Sequence, residues 1–175
     1  MVSNYKNKQG FTLLEIAVAI FIVSFGILSV LGLMNYNMQA EIVSRNEFVA
    51  SQLAQEGLEL VRNIRDNNWL DHIDWSDGII ESDDDSDTYI IDYNKSPDFT
   101  INNIDEDGAK LFLDFDGFYF LGGATTTNFS RLITIKDKDT AKNPPEYFTV
   151  ESSVLWHDQK GAHEYRAETK LYNWR

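Results

Sequence analysis

The 175-residue sequence has no cysteine, so no disulfide braces it, and any packed domain must be held by its core alone. Its 13% aromatic content supplies material for such a core. Proline is nearly missing: Pro97, Pro144 and Pro145 are the only three, and nothing of that kind interrupts a helix before position 97. Cations are also short, with 15 Lys and Arg against 28 Asp and Glu, a formal net charge of -13. That balance disfavours direct binding to nucleic-acid phosphates, which relies on clustered cations, and disfavours lying on anionic lipid. No Ser/His/Asp or Cys/His constellation, glycine-rich phosphate loop or H-E-x-x-H zinc motif occurs, so the chain is read as not an enzyme.

What the chain does have is an apolar run over 16–34, nineteen residues without a charge. A helix needs roughly 20 such residues to cross the hydrocarbon core of a bilayer, so the run reads as membrane-spanning. Lys6 and Lys8 ahead of it hold the N-terminus in the cytoplasm by the positive-inside rule and send the C-terminal domain outward. No small-residue cleavage site follows the run, as a secretory signal peptide requires. Glu15 stands at its edge, where an unpaired carboxylate costs a few kcal/mol and demands a partner or a function.

The stretch Lys8-Gln9-Gly10-Phe11-Thr12-Leu13-Leu14-Glu15 resembles the class III leader junction of type IV prepilins and type II secretion pseudopilins. The resemblance implies a prepilin peptidase/methyltransferase that cuts between Gly10 and Phe11 and methylates the new amine of Phe11. It also gives Glu15 the role of partner to that amine. Cleavage places a buried cation four residues from a buried anion, and pairing the two relieves both desolvation penalties. Other implied partners are pilin or pseudopilin subunits, an inner-membrane assembly platform and membrane lipid. Loss of Lys6 and Lys8 with the leader takes the charge from -13 to -15.

After the leader, 1–10, the helical pattern runs over 11–66, about 56 residues or roughly 80 Å. Its first part, 11–34, is apolar all round, and its second, 35–66, is amphipathic. Ile42, Val49, Leu53, Leu60 and Ile64 form the stripe expected to face a core, and Asn67 and Asn68 are expected to end the helix. Gly26 and Gly32 are either a bending point or ordinary small residues of a membrane helix. Residues 67–109 read as acidic loops with one or two short strands, in which Glu81-Ser82-Asp83-Asp84-Asp85-Ser86-Asp87 is a solvated, self-repelling run.

Residues 110–175 alternate strand patterns with turn signals and read as an antiparallel sheet. Leu111 to Phe115, Asp116-Gly117 and Phe118 to Leu121 form a hairpin signal. A strand over 129–136 puts Phe129, Arg131, Ile133 and Ile135 on one face. A last hairpin turns at Lys160-Gly161, with Val150, Val154 and Trp156 beside Tyr165, Ala167, Thr169 and Leu171. This C-terminal half resembles V-type minor pilins or I-type minor pseudopilins.

No cofactor is expected, with calcium as one alternative. Side-chain oxygens recur at Asn103, Asp105 and Asp107 before Gly108, as in calcium loops, and Asp114 stands where the closing carboxylate comes; the other reading is a plain turn. His157 and His163 flank the last turn, with Asp158 nearby, as a second metal candidate. Together these features predict an α+β, type IV pilin-like chain: a long N-terminal helix, its first half transmembrane, packed on a small antiparallel sheet. The expected function is a minor pilin or pseudopilin, a filament subunit; the alternative is a membrane-anchored adhesin or tip module on the same anchor.

Overall fold

The computed structural model describes residues 10–82, 84, 86–139, 144–158 and 161–174. Residues 1–9 of the expected leader with Lys6 and Lys8, Asp83 and Asp85 of the acidic run, the expected break at Lys142-Asn143 and the expected turn residue Lys160 lie outside the described residues. The chain divides into two units, Met1–Ser44 and Arg45–Arg175. One helix, α1 (Leu13–Leu70), contributes to both.

In the first unit α1 runs unbroken through Gly26 and Gly32, and every residue over 16–34 is exposed. An 18-residue window in this helix has a mean hydropathy of 2.7, which by length and composition is enough to cross a membrane.

In the second unit α1 lies against an antiparallel sheet. Its strands are β1 (Asp87–Asp92), β2 (Lys95–Asp98), β3 (Lys110–Leu113), β4 (Tyr119–Leu121), β5 (Thr126–Lys136), β6 (Tyr147–Asp158) and β7 (Gly161–Tyr172). β5 is the hub. Along one edge it pairs with β6 over eight residue pairs, from Phe129 opposite Trp156 to Lys136 opposite Thr149. Its other edge is shared: β1 pairs with its C-terminal part, Tyr89 opposite Ile133, and β3 with its N-terminal part, Lys110 opposite Ser130. β2, β4 and β7 extend β1, β3 and β6 outward. The strands between 67 and 109 therefore join the same sheet as the C-terminal ones.

Both sequence-marked hairpins form. Leu113 pairs with Tyr119, so five residues rather than two make the first turn; the Asp114 carboxylate accepts from the N–H groups of Asp116 and Phe118, and Gly117 takes φ 87°. In the second, Asp158 pairs with Gly161, and Val154 with Tyr165, Ser152 with Ala167 and Val150 with Thr169, as the alternation predicts.

Two expectations for the helix are corrected. The buried residues of α1 are Ala50, Leu53, Ala54, Gly57, Leu58, Val61, Arg65, Asn68 and Trp69. Of the predicted stripe only Leu53 is among them; Val49, Leu60 and Ile64 are half-buried on a flank, and Ile42 is exposed. Ala50, Ala54 and Gly57 let the helix backbone close on the sheet, and Leu53, Leu58, Val61 and Trp69 fill the core beside them, which turns the buried face away from Ile42. A Cβ on Gly57 would sit 2.9 Å from Ile133 Cδ1, with Ser152 Oγ nearer still.

Asn67 and Asn68 do not end the helix either. Asn68 donates to the carbonyls of Trp75 and Asp77, folding the following loop back, and the helix stops at a left-handed His72 (φ 60°) with Ile73 N–H donating to Asn68 O.

The core has two clusters. Leu58, Val61 and Trp69 pack with Trp75, Tyr89, Ile133, Ile135, Phe148, Val150 and Leu171. Ala50, Leu53 and Ala54 pack with Leu111, Leu121, Phe129, Val154 and Trp156. Trp75 stacks on Phe148 with ring centroids 4.7 Å apart and donates its indole N–H to Pro145 O.

Candidate functional site

The site begins where α1 begins. Thr12 precedes the first helical residue, and its Oγ1 accepts the Glu15 N–H at 3.2 Å. Thr12 is thus the N-cap, and Glu15 occupies the third helical position, the pattern of a capping box. A carboxylate there also faces the positive end of the helix dipole. Gly10 and Phe11 lie immediately ahead of the cap in non-helical backbone, and Gly10, Phe11 and Glu15 are all exposed. Gly10, Phe11 and Glu15 therefore share one helix terminus. The T-x-x-E spacing from Thr12 to Glu15 is the sequence signal of this cap.

In the second unit the residue that joins helix to sheet is Arg131. The period-2 pattern of β5 placed it beside Phe129 and Ile133, and it is buried there. Its Nη1 donates to Leu53 O at 3.1 Å and lies 3.3 Å from Glu56 Oε1; its Nη2 donates to Ile91 O at 2.9 Å. Burial pushes the guanidinium below its ordinary range, while Glu56 and Asp92 oppose that shift. One side chain thus bridges α1, β5 and β1. A cation in an apolar alternation was the available signal.

Of the described residues of the acidic run, Glu81, Asp84 and Ser86 are exposed as expected, but Asp87 is not. This last residue of the run is the first of β1 and is buried, 2.9 Å from Lys138 Nζ, with both side chains about 5% exposed or less. Ser82 Oγ donates to Asp87, and Lys138 also donates to Ser82 O, so the described ends of the run are pinned to the sheet. A carboxylate in this setting must be paired, and Lys138 is its partner.

The four calcium candidates are not brought together. Asn103 Oδ1 accepts the Asp105 N–H, Asp107 holds Lys110 Nζ at 2.6 Å, and Asp114 caps the β3–β4 turn. Lys110 draws the Asp107 carboxyl below its usual range. Among the described residues no three His, Cys, Asp or Glu side chains are grouped to hold a metal. The zinc reading of the last hairpin is corrected by its register: His157 pairs with Ala162 and His163 with Trp156, so the two histidines point to opposite faces. His163 stacks on Trp156 instead and sits 3.0 Å from Asp158 Oδ1.

A helix apolar enough for a single membrane anchor, capped by Thr12 and continuing into a sheet-packed half, is the arrangement of an α+β protein with a pilin-like fold. Residues 5–31 match the family model described as the prokaryotic N-terminal methylation motif, a match that supports a type IV prepilin-like protein. Comparison with curated proteins found no match, and neither did comparison with solved structures. The motif points to processing by a prepilin peptidase, to assembly with other pilins, and to a structural subunit.

Proposed function

We infer that this chain is a minor pilin or pseudopilin. On this reading it is inserted by the apolar half of α1, cut between Gly10 and Phe11, methylated on Phe11 and assembled into a type IV pilus or a type II secretion-like filament. The observation that carries the reading is the methylation-motif match over residues 5–31 on a helix that continues without a break into the sheet-packed unit. The leader side of the anchor stays cytoplasmic and the sheet-bearing unit lies outside, then on an extracellular or periplasmic filament.

Glu15 pairs with the Phe11 amine of a neighbouring subunit and so sets the register of assembly. The Thr12 cap supports this by fixing the first helical turn on which the carboxylate is carried. The minor-subunit assignment rests on the long terminal hairpin β6–β7, the element of the second sequence resemblance.

Co-expression with a prepilin peptidase followed by mass spectrometry of the mature N-terminus tests the reading. The expected species begins with N-methyl-Phe11. Retention of residues 1–10, or a start after Leu31, refutes it. The adhesin or tip reading shares this processing and separates from it by abundance and by a bound ligand in the loops between 69 and 109 and between 122 and 128.

A further inference from the structure

The three outer strands of the sheet end differently. β2 carries Pro97, which cannot donate to a further strand, and β4 is three residues long. β7 is twelve residues long, contains no proline, keeps an unbroken register with β6 and, among the described residues, has β6 as its sole strand partner. Its outer edge is therefore a row of backbone donors and acceptors open to another chain.

One face of β7 presents Glu164, Arg166, Glu168 and Lys170 in turn, all exposed; within the chain Arg166 holds Glu164 at 2.7 Å, Lys136 holds Glu168 at 2.8 Å and Lys170 lies over the Tyr147 ring, so pairing with a second copy exchanges or shares these exposed contacts. These four charges sum to zero in a chain of net charge -13, so the strand is locally neutral where most of the surface is acidic. Their order is also self-complementary. In an antiparallel pair of two β7 strands centred on Ala167, Glu164 faces Lys170 and Arg166 faces Glu168, each twice. A slip of two residues ruins this: centred on residue 166, Arg166 meets itself and Glu164 meets Glu168; centred on 168, Glu168 meets itself and Arg166 meets Lys170. On the other face the central register sets Tyr165 against Thr169 and His163 against Leu171, with no like charges opposed.

We propose that β7 is a homotypic docking edge, pairing antiparallel with β7 of a second copy of this chain in the register centred on Ala167. The two-fold axis of such a pair is normal to the sheet and reverses every direction lying in it, including that of the helix packed on it. The two joined chains thus have opposed helices. The pairing does not depend on the pilin-like reading.

The test uses the full-length chain in detergent, where the lack of native cysteine makes single-cysteine crosslinking unambiguous. Directly opposed residues bring their Cβ atoms to about 4.5–5.5 Å, within reach of a disulfide. Ala167→Cys is expected to give a disulfide dimer under mild oxidation, Thr169→Cys alone is not, and an equimolar mixture of Tyr165→Cys and Thr169→Cys is. Arg166→Glu in the Ala167→Cys background should lower the crosslinked fraction at least tenfold. Mixing that variant with Glu168→Arg, Ala167→Cys should restore it, because the two changes re-form both pairs. Light scattering on the cysteine-free chain and on Arg166→Glu gives the same answer without crosslinking: two chains for the first, one for the second. Equal crosslinking at 167 and 169, none at 167, or dimers indifferent to Arg166→Glu each overturn the proposal. Because every readout is a crosslink or a mass, failure here leaves the N-terminal processing result untouched.

Discussion

Replacing Arg131 tests how the helix is fastened to the sheet. Arg131→Met keeps most of the apolar stem but removes the donors to Leu53 O and Ile91 O and the ion pair with Glu56. A hydrogen bond from a charged donor contributes about 1.5–3 kcal/mol, so two of them are worth roughly 3–6 kcal/mol gross. Against this, the variant no longer buries a cation, whose effective desolvation costs several kcal/mol. Leu53 O lies in the helix interior and keeps its helical partner, so the loss falls mainly at Ile91, and a net destabilisation of about 2 kcal/mol is expected.

Arg131→Ala also empties the space of the stem and should cost a further ~1–3 kcal/mol. Glu56→Gln should cost least, about 1 kcal/mol or below, because the Glu56 side chain is 39% exposed and Asp92 still opposes the buried cation. Urea unfolding of the full-length protein in detergent reads the series through the fluorescence of Trp69, Trp75 and Trp156, all buried in this unit. An order other than Ala worst, Met intermediate and Gln mildest, or Arg131→Met within about 0.5 kcal/mol of the parent, would refute the account of Arg131 as the fastening.

Glu15→Leu should leave the membrane-bound pool intact, since removing a charge from the edge of an apolar helix favours insertion, while incorporation into sheared filaments falls. A variant that incorporates as well as the parent removes Glu15 from assembly. Gly57→Leu should destabilise the sheet-bearing unit by more than about 3 kcal/mol, because even a Cβ there meets Ile133 and Ser152; an unchanged urea midpoint would mean the helix can lift without loss. Millimolar calcium should leave the unfolding temperature unchanged, given that Asp107 is held by Lys110 and Asn103 by its own turn. A rise abolished by Asp105→Ala with Asp107→Ala would instead place the ion in that loop.

Features set by neighbours in the chain were legible in the sequence. The methylation motif within 5–31, the uncharged run over 16–34, the two hairpins with Gly117 and Gly161 at their turns, and the alternation along β5, β6 and β7 each depend on a few consecutive residues. Period and turn chemistry act over that range, so they survive without knowledge of the rest.

What only the tertiary structure decided was which surfaces meet. The hydrophobicity of Ile42, Val49, Leu53, Leu60 and Ile64 marked one stripe of α1, of which Leu53 alone is buried; the seam runs instead through Ala50, Leu53, Ala54, Gly57, Leu58 and Val61, where the small residues allow close approach to β5 and β6. The pairing of Asp87 with Lys138, about fifty positions away, and of Arg131 with carbonyls of α1 and β1 likewise left no local trace. Each is set by strand order and register, which fix which distant residues share a face, and a pattern read along the chain carries no information about that choice.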